Sequence, residues 1–137
     1  MMGPPTAGYS GTPLWKKLGL KAQVPATVIH PPADYNSWLT GAAVPEWGPL
    51  RPGVGFIHIF TPLRAEFEDV CRQSLALMAR DGMIWVSWPK KASRLPCDYT
   101  EDTIREVCLP LGLVDVKVCA VSEVWSGLKL MIRKADR

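Results

Sequence analysis

The sequence predicts an α/β domain in which a mostly parallel sheet lies between two layers of helices. Two apolar runs, 54–60 and 83–88, are nearly continuous, which is typical of strands covered on both faces. An amphipathic helical segment follows each run, as parallel strands require. The alternating segments 114–118 and 128–133 indicate a terminal hairpin, which adds one antiparallel strand near the C-terminus.

Composition and charge narrow the class of protein. The 137 residues are 47% hydrophobic and 21% charged, which indicates one soluble globular domain over 1–137. The formal net charge of +3 is mild and argues against dedicated nucleic-acid binding. No apolar run approaches the roughly 18 residues of a membrane span, and the N-terminus lacks a signal pattern. We therefore expect a cytoplasmic protein with no membrane partner.

The residue pattern in the first third of the sequence predicts one helix and one strand. Residues 1–11 are rich in Gly and Pro and form a loose N-terminal segment. A short helix follows, which Thr12 caps and Gly19 ends. The β-branched run 24–29 predicts the first strand, with Pro25 at its start because proline cannot donate to a sheet.

The rest of the chain completes a Rossmann-like three-layer domain. Residues 34–39 form one or two helical turns, and the Pro/Gly-rich loop 40–53 holds at most a short strand near Trp47. Thr61 opens the amphipathic helix after the second strand, and Thr100 caps a further helix. We expect the two continuous apolar strands at the centre of the sheet and the two alternating strands toward an edge.

The cysteines predict neither a disulfide framework nor a metal site. All four are widely spaced, and no Cys/His cluster has zinc-ligand spacing. Cys71, Cys108 and Cys119 fall on apolar faces and are interpreted as small buried hydrophobic residues. Cys97, in a loop, is the remaining candidate for a reactive thiol.

The main candidate site follows the third predicted strand. Ligands of open α/β sheets bind outside the carboxyl ends of the parallel strands. The loop 89–94 holds three cations and no acid beside a tryptophan, a combination that suits a phosphate or a nucleotide. The alternative is a solvated loop that only adds solubility. The ligand-binding candidates at this rim are Thr61, Ser87, Trp88, Lys90, Lys91 and Ser93.

Other polar residues give weaker candidates. Ser10 precedes the first helix and Lys17 lies one turn along it, so both could contact an anion; helix capping alone is the alternative. His30 and Asp34 follow the first strand and are the candidates for acid–base catalysis. His58 lies inside an apolar strand and is interpreted as a hydrogen-bonded core histidine.

Several segments resemble a bacterial protein family of unknown function. The resemblance covers most of the chain and implies no activity. The motifs that carry it are AGYSGTPL (7–14), KKLG (16–19), WVSWPKKAS (85–93), TED (100–102), LPLGLVDVKVCAV (109–121) and WSGLKL (125–130).

A second resemblance concerns architecture. The parallel strands and final antiparallel strand are similar to the C-terminal half of S-adenosylmethionine-dependent methyltransferases, in a truncated form. That fold places a Gly-rich turn after its first strand and an acidic residue after its second strand, which holds the ribose hydroxyls. Here His30-Pro31-Pro32-Ala33-Asp34 follows the first strand, with no glycine. We therefore expect no bound cofactor.

These observations favour a non-catalytic or degenerate Rossmann-like domain. Its ligand would be an anion, such as a phosphate-bearing small molecule, or a protein partner at the carboxyl rim of the sheet. One alternative is an unconventional S-adenosylmethionine-dependent enzyme. The other is a small interaction module that forms a homodimer through its alternating edge strand or through an exposed tryptophan patch.

Overall fold

The computed structural model describes residues 12–42 and 44–137. Within them, six strands form one sheet in the order β2-β1-β3-β4-β6-β5. Strands β1 to β4 pair in parallel, whereas β6 runs antiparallel to both of its neighbours. This confirms a mostly parallel sheet with an antiparallel C-terminal strand. The strands are β1 (Pro25–Ile29), β2 (Glu46–Trp47), β3 (Phe56–Phe60), β4 (Met83–Pro89), β5 (Leu113–Ala120) and β6 (Trp125–Ile132).

Helices cover both faces of the sheet. Side chains of α1 and α2 join one apolar cluster, together with Phe60 and Trp85 of the central strands. Side chains of α3 and α4 join a second cluster on the opposite face, together with Ile59 and Val86. Alternate residues of β3 therefore enter different clusters, which explains its continuous apolar sequence. The helices are α1 (Leu14–Leu18), α2 (Tyr35–Trp38), α3 (Arg64–Leu77) and α4 (Glu101–Cys108).

The starts of two helices differ from the sequence prediction. The N-cap of α1 is Pro13 rather than Thr12. Helix α3 begins at Arg64, because Thr61 is used in a turn in which its hydroxyl accepts from Leu63 N at 3.0 Å. The predicted end of α1 is confirmed, since Gly19 adopts the left-handed conformation at φ 78°.

The hairpin β5–β6 forms the far edge of the sheet, as the alternating sequence predicts. Its register shifts between Asp115 and Lys117, so that Val116 is an extra residue opposite β6. The middle of β5 is exposed on both faces. Cys119 is only half-buried, in contrast to its predicted burial, because it lies on this edge strand.

The described helices are all short. The longest, α3, has 14 residues, and no helix in residues 12–42 and 44–137 has the length and apolar character needed to cross a membrane.

Candidate functional site

An open cavity lies beside the carboxyl end of β4, where the basic loop faces the start of α4. We call it the rim cavity. Its volume of about 580 Å³ is in the range of small-molecule sites. Among the residues that line it are Trp88, Lys90, Lys91, Tyr99, Glu101 and Asp102. The structure thus brings three of the six rim candidates, Trp88 and the two lysines, into one wall.

Backbone hydrogen bonds hold the basic loop against the β5–β6 turn. Lys90 N donates to Val124 O at 2.7 Å, which anchors the loop where β4 ends. A 3₁₀ turn over Lys91–Ser93 follows, and the Ser93 hydroxyl donates back to Lys90 O at 2.6 Å. Ser93 therefore shapes the loop and does not line the cavity.

The charges of the rim cavity are unequally paired. Arg105 of α4 lies 2.6 Å from a carboxylate oxygen of Glu101 and 3.1 Å from one of Asp102. By contrast, no ion pair of the described residues includes Lys90 or Lys91. The carboxylates in the wall thus share a cation partner within the protein, whereas the two ammonium groups remain available to a ligand.

The cysteine and tyrosine of the cavity are held in their neutral forms. The Cys97 thiol donates to Tyr99 O at 3.3 Å, and burial raises the pKa of this thiol. A raised pKa opposes the thiolate that a reactive cysteine requires. Burial also raises the pKa of Tyr99, whose hydroxyl donates to Thr61 O at 2.6 Å.

Ser87 lies away from the rim cavity, in a buried series of hydrogen-bonded side chains that links neighbouring strands. The Tyr35 hydroxyl is 3.1 Å from His58 Nδ1, and His58 Nε2 is 2.8 Å from Ser87 Oγ. Burial lowers the pKa of His58 to about 3, so the ring is neutral near neutral pH. His58 is thus a hydrogen-bonded core histidine, as its apolar strand predicts.

The two acid–base candidates do not come together. His30 is exposed and places Nδ1 at 2.9 Å from Glu66 Oε1 on α3. Asp34 instead accepts from Trp38 Nε1 at 3.2 Å. Each side chain is engaged with a different element, so the structure does not join them in a catalytic pair.

The remaining candidates do not contribute to the rim cavity. Thr61 is completely buried, and its hydroxyl is used in the turn before α3. Lys17 belongs to α1, which does not line the cavity. Ser10 lies outside the described residues.

Sequence reasoning missed the contribution of α4 to this site. Tyr99, Glu101 and Asp102 complete the wall, and Arg105 pairs with its acids. The predicted site residues follow the carboxyl ends of strands, whereas these residues stand at the start of a helix. The Thr100 cap, which the sequence shows, was the signal that a helix begins close to the basic loop.

The turn after β1 does not fit S-adenosylmethionine in the mode that the methyltransferase resemblance implies. His30 adopts the left-handed conformation at φ 55° with a full side chain, and the two prolines that follow offer no N–H groups. The Tyr35 side chain, which follows this turn, is buried, and its hydroxyl forms a hydrogen bond with His58 of β3. Side chains therefore occupy the place where glycines would let backbone approach a cofactor.

Strand β2 also lacks the geometry to hold the cofactor ribose. Its acidic residue, Glu46, pairs with Pro25 at the start of β1. Ile29, at the carboxyl end of β1, lies four positions after Pro25. Glu46 is therefore about 13 Å from the carboxyl rim along the strands. The carboxylate thus lies at the wrong end of the sheet for the ribose hydroxyls.

Comparisons with known proteins give structural matches only. No family model matches the sequence, and no curated protein matches it.

Solved structures with a similar fold include several methyltransferases. A fibrillarin pre-rRNA processing protein from Methanococcus jannaschii is 10% identical, with a TM-score of 0.53 over 88% of this chain and 69% of that chain. Magnesium protoporphyrin IX methyltransferase from Synechocystis, solved with bound S-adenosylmethionine, is 10% identical, with a TM-score of 0.58 over 87% and 74%. A ribosomal protein L11 methylase from Lactobacillus delbrueckii is 10% identical, with a TM-score of 0.50 over 87% and 74%. These similarities show the fold alone: the chain has the α/β architecture of the methyltransferases.

Proposed function

We propose that this chain is a ligand-binding domain built on the methyltransferase fold, and that it takes an anionic, nucleotide-sized ligand in the rim cavity. The observation that carries the proposal is the unequal pairing of charges there. Arg105 pairs with both acids of the wall, whereas Lys90 and Lys91 have no carboxylate partner among the described residues.

Shape and aromatic surface support a ligand larger than a free phosphate. A cavity of about 580 Å³ has room for a base and a sugar as well as a phosphate. Trp88 is half-buried in its wall and offers a ring beside the two lysines. An aromatic face next to cations can stack on a base while the cations hold the phosphate.

Binding is better supported than catalysis at this site. Burial raises the pKa of both Cys97 and Tyr99, which keeps them neutral. Among the described residues, neither histidine lines the cavity. The groups most suited to proton transfer near neutral pH therefore lie elsewhere.

A thermal-shift panel tests the proposal. The probes are inorganic phosphate, adenosine mono- and triphosphate, S-adenosylmethionine and its demethylated product, all at constant ionic strength. We expect the adenosine phosphates to raise Tm, since a ligand at a hundredfold excess over its Kd adds about 2.7 kcal/mol to the free energy of unfolding.

Two double variants locate the binding. Lys90→Ala with Lys91→Ala should remove the shift with adenosine monophosphate and leave the ligand-free Tm nearly unchanged. The matched control, Lys16→Ala with Lys134→Ala, removes two exposed charges elsewhere and should keep the shift. Equal shifts in both variants would refute the rim cavity as the site.

The same panel tests the enzyme alternative. A shift with S-adenosylmethionine and its demethylated product alone, unchanged by loss of Lys90 and Lys91, would favour an unconventional methyltransferase-like enzyme and contradict the present proposal. A panel without any shift would also contradict it and direct attention to a protein partner.

A further inference from the structure

A second group of cations lies on the other face of the sheet, next to α1. Lys129 of β6 stands directly opposite Trp85 of β4 and Lys117 of β5. The Lys117 ammonium lies 6.0 Å from the centre of the Trp85 ring, so both lysine side chains run over the same face. We call these two residues, together with Lys21, whose charge acts on Lys129, the lysine cluster.

The bulge in β5 is what brings the two strand lysines together. Asp115 pairs with Leu130, so a regular antiparallel register would place Lys117 opposite Leu128, on the face of α4. The extra residue Val116 turns Lys117 onto the opposite face, opposite Lys129. The backbone thus departs from regular pairing in a way that places two like charges side by side.

This arrangement is unfavourable for the protein alone. Like charges directly opposite each other on neighbouring strands are destabilising. Lys129 is half-buried, and burial together with Lys117 and Lys21 lowers its pKa, which shows that the charged form is disfavoured. The positive charges of Lys17 of α1 and of Lys117 both act on Cys119, although burial raises the pKa of this thiol.

Among the described residues, no carboxylate pairs with the lysine cluster. None of its three members forms an ion pair within residues 12–42 and 44–137. The remaining residues, 1–11 and Ala43, contain no Asp or Glu. An external anion at this cluster therefore displaces no ion pair of the described residues.

We propose that the lysine cluster is a binding site for an oligophosphate chain, separate from the rim cavity. Several ammonium groups close together match the dense negative charge of linked phosphates, with each lysine acting as a point charge. The site stands on the α1 face and the rim cavity on the α4 face, so this inference does not depend on the proposed function.

Calorimetric titration with inorganic triphosphate at constant ionic strength tests the site. We expect Lys117→Gln with Lys129→Gln to weaken binding at least about tenfold. The matched control, Lys16→Gln with Lys134→Gln, removes the same net charge from exposed positions and should bind as the parent does. Loss of Lys90 and Lys91 should also leave triphosphate binding intact, which separates this proposal from the previous one.

A stability readout guards against misfolded variants. Without ligand, Lys117→Gln alone should not lower Tm, because it removes a repulsion from an exposed position. Triphosphate should raise the Tm of the parent and of the control, but raise that of the cluster double variant much less. Equal affinity in the parent and the cluster variant, or equal loss in the cluster variant and the control, would overturn the proposal.

Adenosine triphosphate in the same titration distinguishes the source of the phosphates. If adenosine triphosphate binds as tightly as inorganic triphosphate, and the cluster variant weakens both equally, the site binds the phosphate chain of nucleotides. Much weaker affinity assigns it to free oligophosphates.

Discussion

At the scale of single residues, His58 shows how a polar group is accommodated in the centre of a sheet. The ring is completely buried, and both of its nitrogens have partners, the hydroxyls of Tyr35 and Ser87. An unpaired buried nitrogen would cost about 1 to 3 kcal/mol, so these two hydroxyls stabilise the interior rather than serve a ligand.

The buried histidine predicts a pH dependence of stability. The pKa of His58 is about 3 in the fold against 6.5 for the unperturbed group, so below pH 6.5 unfolding takes up a proton. The free energy of unfolding should be independent of this group above pH 6.5 and should fall below it, by up to about 1.4 kcal/mol per pH unit. Urea denaturation at a series of pH values measures the slope.

The two histidines of the chain provide a matched pair of variants. In the His58→Gln variant, the free energy of unfolding should no longer show the one-proton dependence on pH between pH 6.5 and 4.5. The His30→Gln variant, changed at an exposed position, should show the same pH dependence as the parent. The chemical shifts of the His58 ring should also remain those of a neutral imidazole at pH 5. A protonated ring at that pH would contradict the assignment.

The sequence predicts the role of His58 but not its partners. A histidine inside a continuous apolar strand is expected in the core. Tyr35 and Ser87, however, lie 23 and 29 residues away along the chain. Their contact depends on which strands are neighbours and in which register, and local patterns carry no such information.

At the scale of elements, the sequence predicts the start of α4, although not its place at the site. Thr100 Oγ1 accepts from Thr103 N at 3.4 Å, and Thr103 Oγ1 accepts from Thr100 N at 3.1 Å, so the predicted cap is confirmed as a capping box. The capped helix begins at the rim cavity, and its cap therefore holds one wall in place.

Removal of this cap should lower stability. Thr100→Ala leaves the Thr103 N–H without its acceptor, and we expect a loss of about 1 kcal/mol in the free energy of unfolding. Thr40→Ala is the control, because that exposed hydroxyl bonds to Ser37 O and caps no helix start. Urea denaturation of both variants measures the difference, and equal losses would show that the cap contributes nothing specific.

The β5 bulge is the element that alternation did not predict. The run 114–118 alternates strictly in sequence, which predicts a regular edge strand with both charged residues on one face. The structure instead sends Asp115 to Arg105 at 2.9 Å and Lys117 to the opposite face. The alternating sequence indicates only which side chains of one strand share a face. A bulge depends on how that strand pairs with its neighbour, which the sequence of the strand does not show.

At the scale of the whole molecule, the exposed edge of the sheet bears on self-association. The sequence left a homodimer through β5 as an alternative. The bulge and the charges of Asp115 and Lys117 are features that oppose edge-to-edge pairing of strands. The fold therefore favours a monomer at this edge, despite the exposed side chains of Val116 and Val118.

Sedimentation velocity over a wide concentration range tests this expectation. We expect a single species at the monomer mass at every concentration. A mass that rises with concentration, and that falls back when Val118 is replaced by Lys, would instead support the homodimer.

The layered architecture was predictable from the sequence, but the order of strands was not. The continuous apolar runs place β3 and β4 at the centre, and the structure confirms this. The two-residue strand β2 forms by pairing with the start of β1, and it is too short for the sequence to show a strand pattern. The rim cavity required the strand order as well, because α4 and the basic loop meet only after the sheet is assembled.

The position of β6 determines when the domain can fold during its synthesis. This strand lies between β4 and β5, and β5 has no other partner in the sheet. One edge of β4 and the inner edge of β5 therefore stay unpaired until residues 125–132 have left the ribosome. The nascent chain must carry an incomplete sheet with exposed apolar strands up to that moment, a state in which chaperones are expected to bind it.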